Sequence, residues 1–164
     1  MELKMLSPAA VPAALEKAER YRLLNEPAES ESICLDVLAI DPTNEPALVT
    51  LVLAQTDLFH GHDTGAWHRA SETVTRLSSA YDRAYYTGII AERRAKARLA
   101  ASSFGAADAA REWLHEALQH FAQAESIRPQ GNDDAILRWN ACTRLLARLP
   151  AATPEEPRPA VTSE

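Results

Sequence analysis

Residues 38–51, LAIDPTNEPALVTL, decide how the chain is read. An apolar helical pattern runs into Ile40 and stops at Asp41-Pro42, because proline lacks the backbone donor that a helix interior needs. Asn44 is suited to accept a free N–H at a new helix start, and Pro46 is tolerated in the first turn. The stretch therefore reads helix, tight turn, helix. Upstream, Ile33, Cys34, Val37, Leu38 and Ile40 form one broad stripe. Downstream, Ala47 to Ala54 is apolar nearly all round, which predicts a helix buried between neighbours.

Working outward, PAALEKAERYRLLN (residues 12–25) places Leu15, Ala18, Tyr21 and either Leu24 or Arg22 at helical spacing. Asn25 followed by Pro27 reads as a stop and a restart. On the other side, AWHRASETVTRLSS (residues 66–79) sets Trp67, Ala70, Val74 and Leu77 on one side, with Asp63 or Thr64 as the expected cap. From Tyr81 to about Ser103 nothing but one glycine interrupts a helix of roughly 34 Å. SFGAAD (residues 103–108) breaks it, and Ala110, Trp113, Leu114, Ala117, Leu118, Phe121 and Ala124 then share a stripe. RPQGNDD (residues 128–134) leads into a last helix with Asn132 as the expected cap and Asp133 and Asp134 in its first turn. Trp139, Cys142, Leu146 and Leu149 should face the stack, with Arg144 and Arg148 suited to its C-terminal end. The expected class is all-α, with residues 1–149 as one domain. Residues 150–164, proline-rich and without apolar periodicity, are expected to be a disordered tail.

Composition narrows the function. Of the 164 residues 46% are hydrophobic and 24% charged, which is ordinary for a globular chain. A formal charge of −6 argues against a general attraction to nucleic acid, which needs a basic face. Cys34 and Cys142 are too far apart in sequence to suggest a zinc motif or a disulfide framework, and a reducing compartment fits best. The start makes a poor secretory signal, and no apolar run reaches the roughly 18 residues that would span a bilayer, so a cytoplasmic address and no membrane insertion are expected. There is no glycine-rich phosphate loop, nucleophile elbow, HExxH pattern or paired-cysteine motif, so neither catalysis nor a cofactor is expected.

The punctuation of residues 38–51 recurs in ESIRPQGNDDAILRW, residues 125–139. In each, an apolar residue precedes a charged one, a proline, an asparagine and a new helix. This resembles the junction between tetratricopeptide repeats, whose period is about 34 residues. Ala117, Phe121 and Ala124 coincide with the small, aromatic and small positions of the family's second helix. Ser30, Cys34 and Val37 stand at those positions in the first repeat, and Ala18 and Tyr21 match its first helix. The resemblance implies a superhelical stack of antiparallel helix pairs. Repeats would lie at about 11–42 and 45–79, with an enlarged third at about 81–129 and a capping helix at 133–149. Pro42 and Pro129 lie further apart than two such repeats, so the excess falls in the 59–65 loop and the 81–106 segment.

The family's members are protein-interaction scaffolds whose concave face is lined by first helices. Carried onto this chain, that face would include Leu15, Glu19 and Arg22, then Val49, Leu53 and Thr56, then Tyr85, Ile89, Glu92 and Arg93, and finally Ile136 and Asn140. An apolar floor with charged edges suits a peptide or helical segment of another protein. The alternative is that Val49, Leu53 and Ile89 belong to a core closed by the last helix. The subclass that clamps a terminal carboxylate with lysine and asparagine is not expected, because Leu15 and Glu19 stand where that clamp would begin.

Three other features carry alternatives. FHGHDTGAWHRA (residues 59–70) gathers His60, His62, Asp63 and His68, types able to bind a divalent metal, although Gly61 and Gly65 favour a polar loop. ERRAKAR (residues 92–98) displays Arg93, Arg94, Lys96 and Arg98 either as a solvated face or as a dock for an acidic segment. Trp67, Trp113 and Trp139 could cover a face between copies of the chain, giving a homo-oligomer. His115 and His120, five apart, do not share a helix face.

Overall fold

The computed structural model describes residues 2–60, 65–101 and 103–151. It is all-helical: α1 (Val11–Leu23), α2 (Pro27–Ile40), α3 (Glu45–Asp57), α4 (Ala66–Thr75), α5 (Ala80–Ala100), α6 (Ala106–Ser126) and α7 (Asp134–Leu146), with no strand among the described residues. Short 3-10 turns precede α1 at Pro8–Ala10 and follow α3 at Leu58–His60. Each helix packs on the next, and α1 also touches α3 as α3 touches α5.

The boundaries follow local chemistry. Asn25 adopts a left-handed φ of 61°. Its N–H reaches the Arg22 carbonyl and the Glu26 N–H reaches the Tyr21 carbonyl, closing α1 with the paired bonds of a Schellman motif. Asn44 caps α3, its side chain accepting the Ala47 N–H at 3.0 Å. Two expected caps differ. The residue preceding α4 is Gly65, and Asp63 and Thr64 lie outside the described residues. Asp133, not Asn132, occupies the cap position of α7. The Asn132 side chain still accepts the Asp134 N–H at 3.0 Å, and at the same distance it accepts the Tyr81 hydroxyl from the start of α5. Asn132, one residue ahead of the cap, thus links the first turn of α7 to the start of α5. The long helix ends at Ala100, short of Ser103.

The core has two main parts. In the first, Ala18 of α1, Cys34, Val37 and Leu38 of α2, and Leu48, Leu51 and Val52 of α3 close over Ala70 and Val74 of α4. In the second, Ile89, Ala91 and Ala95 of α5 meet Leu114, Ala117 and Phe121 of α6 and Cys142 of α7. The α3 segment that read as apolar all round is indeed enclosed by α1, α2, α4 and α5. On α1 it is Arg22, half-buried, and not Leu24, exposed, that continues the inward stripe. Trp139 was expected to face the stack but is 38% exposed, at the edge of the buried stripe centred on Ala135 and Cys142.

Small residues bring α5 and α6 close together. Gly88 has no Cβ, and the Phe121 ring fills the space one would take. Beside that apolar core, a polar contact joins α2, α3 and α4: Gln55 donates to Glu31 at 3.0 Å, Arg69 donates to the same carboxylate at 2.9 Å, and the buried Thr73 hydroxyl donates to Gln55. Buried groups of this kind are stable only when paired.

Candidate functional site

The odd-numbered helices place a band of charge across the fold. Arg22 near the end of α1 donates to Asp57, the last residue of α3, at 2.8 Å. Arg93, midway along α5, donates to the other oxygen of Asp57, to the Thr56 hydroxyl at 2.7 Å and to the Leu53 carbonyl at 3.3 Å. One residue earlier, Glu92 is 1% exposed and pairs with Lys96 a turn later and with Arg138 of α7, the latter at 3.5 Å. One Glu92 oxygen is buried without a hydrogen-bond partner among the described residues. The band thus sets four cations, Arg22, Arg93, Lys96 and Arg138, against two carboxylates, Asp57 and Glu92. Glu19, exposed one turn before Arg22, reduces that excess at the α1 end.

Burial and partners act in opposite directions on these cations. Burial lowers the pKa of Arg93, with Asp57 opposing that shift. For Arg138 burial works the same way, but Glu92 and a hydrogen bond with Tyr85 outweigh it and raise the pKa above its ordinary value. The Arg138 and Lys96 side chains remain 38% and 45% exposed, so both charges are available to solvent.

Of the residues expected to line a groove, the structure brings Arg22, Thr56 and Arg93 together through Asp57, and Tyr85 and Glu92 through Arg138. Leu15 and Val49 pack against the first core, and Leu53 and Tyr85 against the second. Ile89 and Thr56 are each 1% exposed. Ile89 and Thr56 thus belong to the core, while Leu15, Val49, Leu53 and Tyr85 are half-buried at its border. Ile136 and Asn140 are half-buried on α7.

Asp57 and Arg138 were not singled out by the sequence. Asp57 is the one acid in an otherwise uncharged run from Pro46 to Phe59, which was an available signal. Arg138 carries no such signal.

The basic run of α5 is divided by helical geometry. Arg93 and Lys96 turn toward the band, while Arg94 lies between two indoles, 4.1 Å from the Trp67 ring centroid and 3.5 Å from that of Trp113. This sandwich ties α4, α5 and α6 together and occupies one face of each of two tryptophans. Burial lowers the Arg94 pKa, and Glu116 opposes it. Arg98 is exposed.

His60 and His68 are exposed, His68 lying against Trp67, while His62 and Asp63 lie outside the described residues. Among the described residues no group of three or more His, Cys, Asp or Glu side chains is placed to hold a metal ion. His115 is exposed, and His120 borders a shallow cleft with Val74, Arg83 and Thr87. Cys34 and Cys142 are both buried and free, and burial pushes each thiol up to about 12. Among the described residues no helix is long and apolar enough to cross a membrane. The chain matches no family model, no curated protein and no solved structure.

Proposed function

We propose that the chain is a non-catalytic helical-repeat scaffold that captures an acidic segment of another protein on the charge band of α1, α3, α5 and α7. The observation that carries this reading is the excess of cations in the band, four against two carboxylates, in a chain whose formal charge is −6. A local field opposite to that of the whole molecule steers an oppositely charged partner to one place. The contacts of α1 with α3 and of α3 with α5 support a repeat-like arrangement in which first helices share a face, as the tetratricopeptide-like junctions suggested. In this reading Arg138 and Lys96 take the partner's carboxylates, and half-buried Tyr85 offers an apolar edge.

The test removes charge without leaving a carboxylate unpaired. Arg22→Gln leaves Asp57 with Arg93, and Lys96→Gln leaves Glu92 with Arg138. Ile89→Glu is unsuitable, because a charge at a fully buried position unfolds the chain whatever the groove does. A short poly-glutamate peptide is titrated into wild type and the double variant while backbone NMR signals are followed. The expected result is a set of shifts centred on residues 92–96 and Arg138. Affinity in the double variant should fall by roughly threefold or more, on the scale of two exposed ion pairs. Shifts elsewhere, or equal affinity, would overturn the reading.

A further inference from the structure

We propose that copies of the chain join head to tail, the outer face of α7 of one copy seating in the groove between α1 and α2 of the next. The contact uses neither the charge band nor the indole sandwich, so it is independent of the scaffold reading.

The groove is a shallow opening of about 310 Å3 beside the first core. Leu6, Ala13, Ala14 and Ile33 line it together with Lys17 and Asp36, and α3 contributes nothing to it. Helical spacing extends its α2 wall into a stripe of Glu29, Ile33, Asp36 and Ile40. On α7 the core side is marked by Ala135 and Cys142. Leu137, Ala141 and Arg144 turn away from it, and Arg148 follows in the turn after the helix. The outer face of a stacked helix is ordinarily polar. The groove and Leu137, which is 65% exposed, depart from that rule.

Charge selects a second copy as the occupant. Residues 2–60 carry ten carboxylates against four cations, and residues 65–149 carry nine against twelve. The two halves therefore attract one another across copies. The stripes also match in detail. Glu29, Ile33, Asp36 and Ile40 are spaced by 4, 3 and 4 residues, as are Leu137, Ala141, Arg144 and Arg148. Laid antiparallel, Leu137 comes level with Ile40, Arg148 with Glu29, and Arg144 within about 4.5 Å of rise of Asp36. Among the described residues none of Glu29, Asp36, Arg144 and Arg148 makes an ion pair within the chain. In one chain the packing runs from α2 on α3, through α4 and α5, to α6 on α7, which keeps the two faces apart. One helix face in one groove falls below the roughly 1,600 Å2 of a standard interface, so the association is weak. Because the two surfaces differ, the contact repeats from copy to copy.

The experiment is analytical ultracentrifugation of the full chain at low salt, from about 10 μM to about 1 mM, the range of a weak interface. Wild type is compared with Arg144→Glu/Arg148→Glu, with Glu29→Arg/Asp36→Arg, and with an equimolar mixture of the two variants. Circular dichroism confirms each fold, and Ala13→Arg, which fills the groove from an exposed position, replaces the α2 pair if that pair does not fold. The expected result is a wild-type mass that rises with concentration and an association at least about tenfold weaker in either variant alone. The mixture should recover the wild-type affinity to within about threefold, because the intact α7 of one variant meets the intact groove of the other. A wild type that stays monomeric throughout overturns the inference. So does an α7 variant that associates as well as wild type, since the groove would then meet something other than α7. A mixture no more associated than its components overturns the pairing of these two faces.

Discussion

Gly88→Ala tests the packing of α5 on α6, and helix propensity and packing pull it in opposite directions. In an exposed helix the change stabilises by about 1 kcal/mol, because alanine loses less backbone freedom on folding. Here an added Cβ would stand 2.6 Å from Phe121 Cε1, 2.7 Å from Cδ1 and 3.0 Å from Cζ. The ring cannot simply swing away. Phe121 is fully buried, Tyr85 lies 5.9 Å from it centroid to centroid, and Ile89, Leu114 and Ala117 belong to the same core. Overpacking of this sort costs about 1–3 kcal/mol. The net expectation is a loss of up to about 2 kcal/mol, or a fall in Tm of up to roughly 8 °C for a chain of this size. Urea denaturation followed by circular dichroism measures it. Phe121→Leu removes the ring edge, so the double variant should be more stable than the sum of the two single losses predicts, by about 0.5–3 kcal/mol. A Gly88→Ala protein more stable than wild type would refute the close approach.

Arg94→Ala removes the cation from between Trp67 and Trp113 and should cost about 1–2 kcal/mol, with tryptophan emission shifting to the red. An unchanged urea midpoint together with unchanged emission would show that the sandwich does not hold α4 to its neighbours. The folded pKa values of Cys34, Cys142 and Tyr86 are all raised by burial, each to about 12. Their contribution to stability is therefore complete below their unfolded values, near pH 9 for the thiols and 10 for the phenol, and is lost as pH rises toward 12. The urea midpoint should fall steeply through that window, and a flat profile would contradict the burial. At about pH 8 a disulfide reagent should react with neither thiol in the native protein and with both in urea.

The helices were legible because their signals are local. Asn44 sits three residues before the N–H it accepts, and left-handed Asn25 lets its own N–H reach the Arg22 carbonyl and the next one reach Tyr21, so residue type and spacing locate both ends. The cap of α7 was misplaced because Asn132 answers to Tyr81, 51 positions away, as well as to its own helix. Trp139 was misjudged for a related reason. Periodicity defines a stripe but not its width, and the width depends on how far the neighbouring helix reaches across.

The candidate site was legible only in fragments. Arg22, Thr56, Tyr85, Glu92 and Arg93 were placed on one surface through a resemblance, yet Asp57 and Arg138, which join them, were not. The bonds between them span 35 to 46 positions. No pattern within one helix specifies such a pairing.

What the sequence determined by itself is the number of helices, most of their ends and the apolar side of each, because hydrogen bonds within a turn and a period of 3.6 residues depend on near neighbours alone. Tertiary structure decided which charges meet, that Ile89 is core and not groove, and that the basic run of α5 divides between an ion-pair band and an indole sandwich. Those outcomes depend on the distance and rotation between packed helices, which close contacts such as Gly88 on Phe121 set only once the chain has folded.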